Sequence, residues 1–167
     1  NALYNNAFTQ SLQKIRQTIP KPNAIMVISA HWETRGTFVS VNPRPKTIYD
    51  FGDFDSCLLE IKYEPEGHPL LAGEVINELP FVAKDADRGL DHGAWTILKF
   101  MYPEADIPVF QFSIDYLQNA ARHFEIGKAL KKMREKGVLI IGSGNIVHNL
   151  SELNWGDIDA ATNDWAL

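Results

Sequence analysis

Two short stretches of the chain are apolar with almost no interruption, and they constrain the fold more than any other feature. Residues 24–29 read AIMVIS, and residues 138–141 read VLII. A strand with one face in water alternates polar and apolar side chains, whereas a strand covered on both faces is apolar throughout. Segments with helical spacing lie between the two runs. The sequence therefore predicts an α/β fold, with a mostly parallel or mixed sheet flanked by helices.

Helical spacing of apolar residues is clearest over residues 120–136. Phe124, Leu130 and Met133 are expected to be buried there, and Gly137 is expected to cap the carboxyl end. Further helices are expected from about residue 8 to Pro20 and over residues 55–61, 68–79 and 92–101, and further strands over residues 37–41, 81–83 and 107–114. Because no repeat, low-complexity segment or linker divides the chain, the sequence predicts a single domain.

Composition and charge exclude several classes of protein. The chain has 167 residues, with 16 basic and 21 acidic side chains, a net charge of −5 and no basic stripe, so a nucleic-acid partner is not expected. No apolar run approaches the ~20 residues that span a bilayer, so a membrane partner is not expected either. Cys57 is the single cysteine, which excludes an internal disulfide and a multi-cysteine zinc site. Because these residues contain no signal-peptide pattern, we expect a cytoplasmic protein.

Histidines follow both apolar runs, near the points where the predicted strands end. His31 lies two residues beyond residues 24–29, and His148 lies a few residues beyond residues 138–141. Ligands of open α/β sheets bind outside the carboxyl ends of the strands, so two histidines from different strands could converge at that edge. His92 begins a predicted helix, where backbone N–H groups favour anions, and is a third candidate. A capping or hydrogen-bonding role is the alternative for each of them.

Other candidate residues have more ordinary interpretations. His68 precedes a proline and is expected in an exposed turn, and His123 is expected at a helix surface or boundary. Glu33 could share one side of an extended segment with His31 as a carboxylate ligand, although a solvated loop charge is the commoner role. The glycine-rich residues 142–149 lack the Lys-Ser/Thr of a phosphate-binding Walker motif, and the sequence has no Gly-x-Ser-x-Gly elbow. Neither a phosphate loop nor a serine hydrolase is therefore favoured.

Four motifs carry a resemblance to a known enzyme family. They are SAHW at residues 29–32, LDHGAW at 90–95, MYPEADIP at 101–108 and SGNIVHNL at 143–150. In this order they resemble the class III extradiol ring-cleavage dioxygenases, the LigB-like family, and within it the 4,5-DOPA dioxygenase branch. The similarity extends over nearly the whole chain, and the four motifs together are far more specific than any one of them.

The resemblance implies an α/β fold with a mononuclear non-haem Fe(II) site, which in some members contains zinc. His31 matches a metal ligand, while His92 and His148 match catalytic histidines with acid–base roles; His148 is also a candidate metal ligand. The family places further ligands in a His-Gly-Ser-Pro motif and in a late C-terminal segment, and neither occurs in these 167 residues. We therefore expect residues 1–167 to be a single catalytic domain that is incomplete at both ends.

The function implied by the resemblance is cleavage of a catechol, DOPA-like ring by O₂, at a metal with open positions for both. The expected partners are this small aromatic substrate and O₂, and self-association as a homo-oligomer is left open. Trp32, Tyr49, Phe51 and Trp95 are candidates for an aromatic-lined pocket, with a plain core position as the equal alternative for each, and Arg35 is a candidate for binding a substrate carboxylate. Two alternatives stay open: a zinc-dependent hydrolase that uses the same histidines, and a non-catalytic interaction module on the same scaffold.

Overall fold

The computed structural model describes residues 5–51 and 56–144. Within them lie four α-helices, five β-strands and one 3₁₀-helix. The helices are α1 (Ala7–Thr18), α2 (Pro69–Glu78), α3 (His92–Met101) and α4 (Ala120–Glu135), and the 3₁₀-helix is Ser56–Glu60. The strands are β1 (Ala24–Thr34), β2 (Phe38–Ser40), β3 (Ala83–Asp85), β4 (Val109–Asp115) and β5 (Val138–Ser143).

The five strands form one mixed sheet in the order β3-β2-β4-β1-β5. Strand β1 pairs in parallel with β4 and β5, and β2 pairs in parallel with β3. The group of three strands (β4, β1 and β5) is joined to the pair of β2 and β3 where β2 runs antiparallel to β4, with Val39 opposite Phe112. The predicted α/β fold with a mostly parallel or mixed sheet flanked by helices is confirmed.

Helices cover both faces of the sheet, which explains the apolar run in β1. Ala24 and Met26 belong to a core cluster with residues of α2 and α4, whereas Ile25 and Val27 belong to a second cluster with residues of α3 and α1. All four side chains are at most 1% exposed. Because the side chains of a strand alternate between its faces, only a helix layer on each side can bury four consecutive residues.

Strand β1 is longer than predicted and runs through His31 to Thr34. The prediction that His31 follows the strand is therefore wrong, because the pairing with β4 continues past the apolar run. This pairing is irregular, and its register shifts between Ile28 and Glu33. His31 nevertheless lies beyond Ser29, the last residue of β1 that pairs with β5. It therefore lies in the carboxyl-terminal part of the strand, and ligands of such sheets bind at the carboxyl ends of the strands.

The buried face of α4 differs from the prediction at one residue. Leu130 and Met133 are buried as predicted, together with Ile126, but Phe124 is 68% exposed. Ile126, Leu130 and Met133 follow the spacing of one helix face, and Phe124 lies about 200° around the helix from Ile126. The predicted burial of Phe124 is therefore wrong. Gly137 follows the helix with a φ of +78°, which agrees with its predicted capping role.

Two short elements also differ from the sequence-based expectation. The helix predicted over residues 55–61 is the 3₁₀-helix, and β3 begins at Ala83 rather than at residue 81, because Ala83 is the residue that pairs with Phe38 of β2. In the two described ranges, no helix combines the length and the apolar character that crossing a bilayer would require.

Candidate metal centre

His31 lies half-buried near the end of β1, where the pairing of the strand is irregular. Its backbone N–H donates to Ser29 Oγ at 3.2 Å, so the hydroxyl of a residue two positions earlier fixes the local backbone. Irregular pairing of this kind re-aims side chains and is frequent next to active sites. The buried first half of β1 thus holds the imidazole of His31 at the carboxyl-terminal edge of the sheet.

His92 is the first residue of α3, and Asp91 is the N-cap of that helix. Asp91 is fully buried. Its Oδ1 accepts a hydrogen bond from Ser29 Oγ at 2.7 Å, and its Oδ2 accepts from Gln111 Nε2 at 2.8 Å and from Arg88 Nη2 at 2.6 Å. A carboxylate can be buried when its acceptor positions are filled in this way. These bonds fix the start of α3, and with it the backbone of His92, relative to β1.

Asp50 belongs to the loop between β2 and the 3₁₀-helix and lies against His92. Its Oδ1 accepts from the His92 backbone N–H at 2.9 Å and lies 3.0 Å from His92 Nδ1. The contact with Nδ1 lacks hydrogen-bond geometry, so this buried nitrogen has no hydrogen-bond partner among the described residues. Burial raises the pKa of the Asp50 carboxyl, but the side chain, backbone N–H and charge of His92 together outweigh burial and hold the pKa below its ordinary value.

His31, Asp50 and His92 thus converge from a strand, a loop and a helix. One ligand-type atom of each residue lies within 4.8 Å of those of the other two. The two imidazole rings have centroids 3.9 Å apart and planes inclined at 45°. Two imidazoles and a carboxylate are a donor set of non-haem Fe(II) sites and also suit zinc. The described residues therefore fit a metal ion, and the His92 Nδ1 that lacks a hydrogen-bond partner belongs to the same group.

Aromatic side chains line one side of this group. Phe51 meets His92 edge-on, with centroids 5.5 Å apart and planes at 86°. Tyr49 and Trp95 lie 6.2 and 6.1 Å from Phe51, and Trp95 is fully buried in the core. Trp32 instead lies beneath the guanidinium of Arg88, whose central carbon is 4.9 Å from the centre of the ring. Three of the four predicted aromatic residues therefore form one cluster, and the ring of Phe51 contacts that of His92.

The start of α3 packs so closely on β1 that position 93 has no room for a side chain. A Cβ atom on Gly93 would collide with Ser29 Oγ and would lie 3.0 Å from His31 Cδ2. The Gly93 carbonyl also accepts a hydrogen bond from Ser143 Oγ at the end of β5. Each residue of the Asp-His-Gly sequence thus has its own role. Asp91 caps the helix, His92 contributes a side chain to the site, and Gly93 allows α3 to approach β1 closely.

The carboxylate near His31 is not the one that the sequence suggested. Glu33 is exposed and does not belong to the metal-ligand group, which contains Asp50 instead. Asp50 lies in an irregular loop, and the periodicity of the sequence does not predict the position of such a loop. The only feature of the sequence that marked Asp50 was its place between two aromatic residues, Tyr49 and Phe51. His148, the predicted catalytic residue and metal ligand, lies outside the described residues.

The two remaining histidines have structural roles. His68 is half-buried rather than in an exposed turn, because it is the N-cap of α2 and its Nδ1 accepts from the Leu71 N–H at 3.2 Å. Its sequence position before Pro69 contained this signal, since proline is frequent in the first turn of a helix. His123 lies at a helix boundary, as predicted, with Nε2 3.1 Å from the Asp115 carbonyl oxygen.

Comparison with known proteins identifies the family of the chain. Residues 2–166 match the family described as the catalytic LigB subunit of aromatic ring-opening dioxygenase. The chain belongs to this family. It is 44% identical to the 4,5-DOPA dioxygenase extradiol of Escherichia coli (strain K12), over 99% of this chain and 62% of that protein. It is also 47% identical to the Beta vulgaris protein of the same name, over 77% of this chain and 50% of that protein.

A solved structure shows a similar fold. The crystal structure of an uncharacterized protein from Escherichia coli K12 matches with a TM-score of 0.80 and 42% identity, over 97% of this chain and 62% of that one. The predicted resemblance to the class III extradiol family and its 4,5-DOPA branch is confirmed. LigB-type dioxygenases are metal-dependent, and the group of His31, Asp50 and His92 could hold a metal ion in this member. The chain spans about half to three fifths of the length of these relatives.

Proposed function

We propose that the protein is a metal-dependent extradiol dioxygenase that opens the ring of a small catechol with O₂. The observation that carries the proposal is the convergence of His31, Asp50 and His92 in a chain of the LigB family. Relatives named 4,5-DOPA dioxygenase extradiol support a DOPA-like catechol as the substrate. In this reaction the ring C–C bond beside the diol breaks, and both atoms of O₂ enter the product.

His31 is proposed as a metal ligand, and His148 is proposed as a second ligand on the basis of the resemblance. Imidazole ligands suit both iron and zinc, but zinc has no redox chemistry, so Fe(II) is the proposed metal. When bound, Fe(II) supplies the redox chemistry and the open coordination positions that a reaction with O₂ requires. Asp50 is proposed as the partner of His92 rather than as a ligand, because its Oδ1 lies against both the backbone N–H and the Nδ1 of His92, at 2.9 and 3.0 Å.

His92 is proposed as an acid–base residue. Its Nδ1 lies against Asp50 Oδ1, which leaves Nε2 to exchange a proton with the substrate. Histidine suits this task because the catechol hydroxyls must lose protons as the substrate binds and the ring-opened product must regain one, and imidazole titrates near neutral pH. In the alternative to the ligand role, His148 is the base or hydrogen-bond partner of a substrate hydroxyl. Its replacement by alanine should lower turnover by the ~10²–10⁴-fold typical of a lost acid–base group.

Phe51 is proposed to contact the substrate ring. It lies edge-on to His92, and the edge or face of a phenyl ring is a favourable neighbour for another aromatic ring. Arg35 is exposed and stays a prediction for binding the substrate carboxylate. The cytoplasmic location and self-association also stay predictions.

Loading of the full-length protein with Fe(II) under anaerobic conditions, followed by DOPA and air, tests the proposal. The expected result is consumption of one O₂ per catechol and a yellow ring-opened product, with neither from zinc-loaded protein. Full iron occupancy without O₂ uptake across several catechols would contradict the proposed activity.

A zinc-dependent hydrolase is the second candidate function, because two histidines and a carboxylate also form catalytic zinc sites. It predicts hydrolysis by zinc-loaded protein that does not depend on O₂. A non-catalytic interaction module, the third interpretation, predicts that the native protein contains no metal. Elemental analysis of freshly purified full-length protein, followed by the O₂ assay, distinguishes the three.

A further inference from the structure

Arg88 contacts a sequence neighbour of each histidine of the candidate site. Its guanidinium carbon lies 4.9 Å from the centre of the Trp32 ring, and its Nη2 donates to Asp91 Oδ2 at 2.6 Å. Trp32 directly follows His31, and Asp91 directly precedes His92. A single side chain therefore joins the two backbone segments that carry the histidines.

Ser29 also joins the same two segments, because its hydroxyl bonds to a residue of each. Its Oγ accepts from the His31 N–H at 3.2 Å and donates to Asp91 Oδ1 at 2.7 Å. Asp91 is fully buried and Trp32 is 5% exposed, so water does not compete strongly for these contacts. The end of β1 is thus linked to the start of α3 through Ser29 and through Arg88, which bind different oxygens of the Asp91 carboxylate.

The shape and charge of a guanidinium suit the position of Arg88. Its side chain is 18% exposed, and it is the cation that pairs with the buried Asp91 carboxylate in the described part of the chain. A guanidinium can stack flat on an indole and donate hydrogen bonds in its own plane at the same time, whereas an ammonium cannot. Both contacts of Arg88 therefore depend on arginine rather than on positive charge alone.

We propose that Arg88 is a positioning residue, which fixes the separation of His31 and His92 by holding Trp32 and Asp91 together. The inference rests on the proposed function, in which both histidines serve one reaction. Arg88 acts through its two neighbours and is assigned no contact with the substrate.

Two variants of Arg88 in the full-length protein separate positioning from folding. Arg88→Lys keeps a positive charge opposite Asp91 but removes the guanidinium that lies over the Trp32 ring. Arg88→Met combined with Asp91→Asn removes both charges together, so that no unpaired carboxylate is buried and asparagine still caps the helix. Arg122→Lys is the matched control, because the Arg122 guanidinium lies 4.4 Å from the Phe81 ring in the helix layer opposite α3.

Two readouts report on the site. The first is the nuclear Overhauser effect between the rings of His31 and His92 in metal-free, histidine-labelled protein, where the ring centroids are 3.9 Å apart. The second is kcat and KM for DOPA after Fe(II) loading. Both Arg88 variants should weaken the inter-ring effect and lower kcat at least about tenfold, with KM within about twofold of wild type, as is usual for partners that orient site residues. Arg122→Lys should change neither readout.

A folded Arg88→Lys protein with the wild-type inter-ring effect and wild-type kcat would overturn the proposal. If that variant does not fold, the same result in the charge-neutral double variant overturns it. A raised KM with unchanged kcat would also overturn it, because Arg88 would then act on substrate binding. If the wild-type protein turns over no catechol, the proposed function fails, and the inter-ring effect alone decides the role of Arg88.

Discussion

The imidazole rings of His31 and His92 lie with their centroids 3.9 Å apart, although one belongs to the carboxyl-terminal part of strand β1 and the other to the first residue of helix α3. The end of β1 and the start of α3 are held together by the hydrogen bond from Ser29 to Asp91 and by the close packing of Gly93 against Ser29. The contact between the two rings brings a proposed metal ligand and a proposed acid–base residue into one site. Substitutions of the two histidines should therefore give different losses.

Replacing His31 by alanine should yield a folded protein that contains essentially no metal, because an imidazole donor is removed from the proposed ion. Metal content after Fe(II) loading and gel filtration checks this. His123→Ala is the matched control, since His123 lies on α4 and contacts a backbone carbonyl instead. Full metal occupancy in the His31→Ala protein would refute the ligand role.

Replacing His92 by alanine should keep the metal and lower turnover by ~10²–10⁴-fold, the usual loss when an acid–base group is removed. Steady-state O₂ uptake with DOPA, at matched iron content, measures the effect. Near-normal turnover would remove His92 from the mechanism.

The substitution Asp50→Asn should keep the fold and the metal but lower turnover by ~10–100-fold, the range seen when a partner that orients a site residue is changed. The amide oxygen can still accept from the His92 N–H, so the loss would come from the missing negative charge beside the His92 ring. Metal loss as complete as that of His31→Ala would instead identify Asp50 as a ligand.

Adding a methyl group at Gly93 should destabilise the protein by about 1–3 kcal/mol, because the new Cβ collides with Ser29 Oγ and presses on His31. The matched control is Gly127→Ala in α4, where a Cβ has no neighbour within 4 Å. That control should be more stable than wild type by about 0.5–1 kcal/mol, the usual gain of alanine over glycine inside a helix. Urea unfolding of both variants measures the difference, and equal stabilities would contradict the close packing of α3 on β1.

The central sheet could be predicted because burial on both faces dictates composition. Ala24, Ile25, Met26 and Val27 alternate between two helix layers, and a polar residue at any of these four positions would lie in a core. The same topology predicted a ligand site at the carboxyl end of β1, which is where His31 lies. His92 was a candidate because it starts a helix, and that part of the prediction agrees with its position.

Contacts between distant irregular segments could not be predicted. Asp50 reaches His92 from a loop, and Arg88 reaches Trp32 from another, so neither contact follows from the local spacing of residues. The predicted burial of Phe124 was also wrong. The buried face of α4 is formed by Ile126, Leu130 and Met133, and Phe124 lies on the exposed face.

The most direct test of the central claim measures O₂ uptake and iron content together in wild-type and His31→Ala full-length protein supplied with Fe(II) and DOPA. The account predicts that the wild-type protein binds iron, consumes one O₂ per catechol and forms a yellow ring-opened product, and that His31→Ala does none of these. Iron-loaded wild-type protein that consumes no O₂, or a His31→Ala protein that retains iron and turnover, would contradict it.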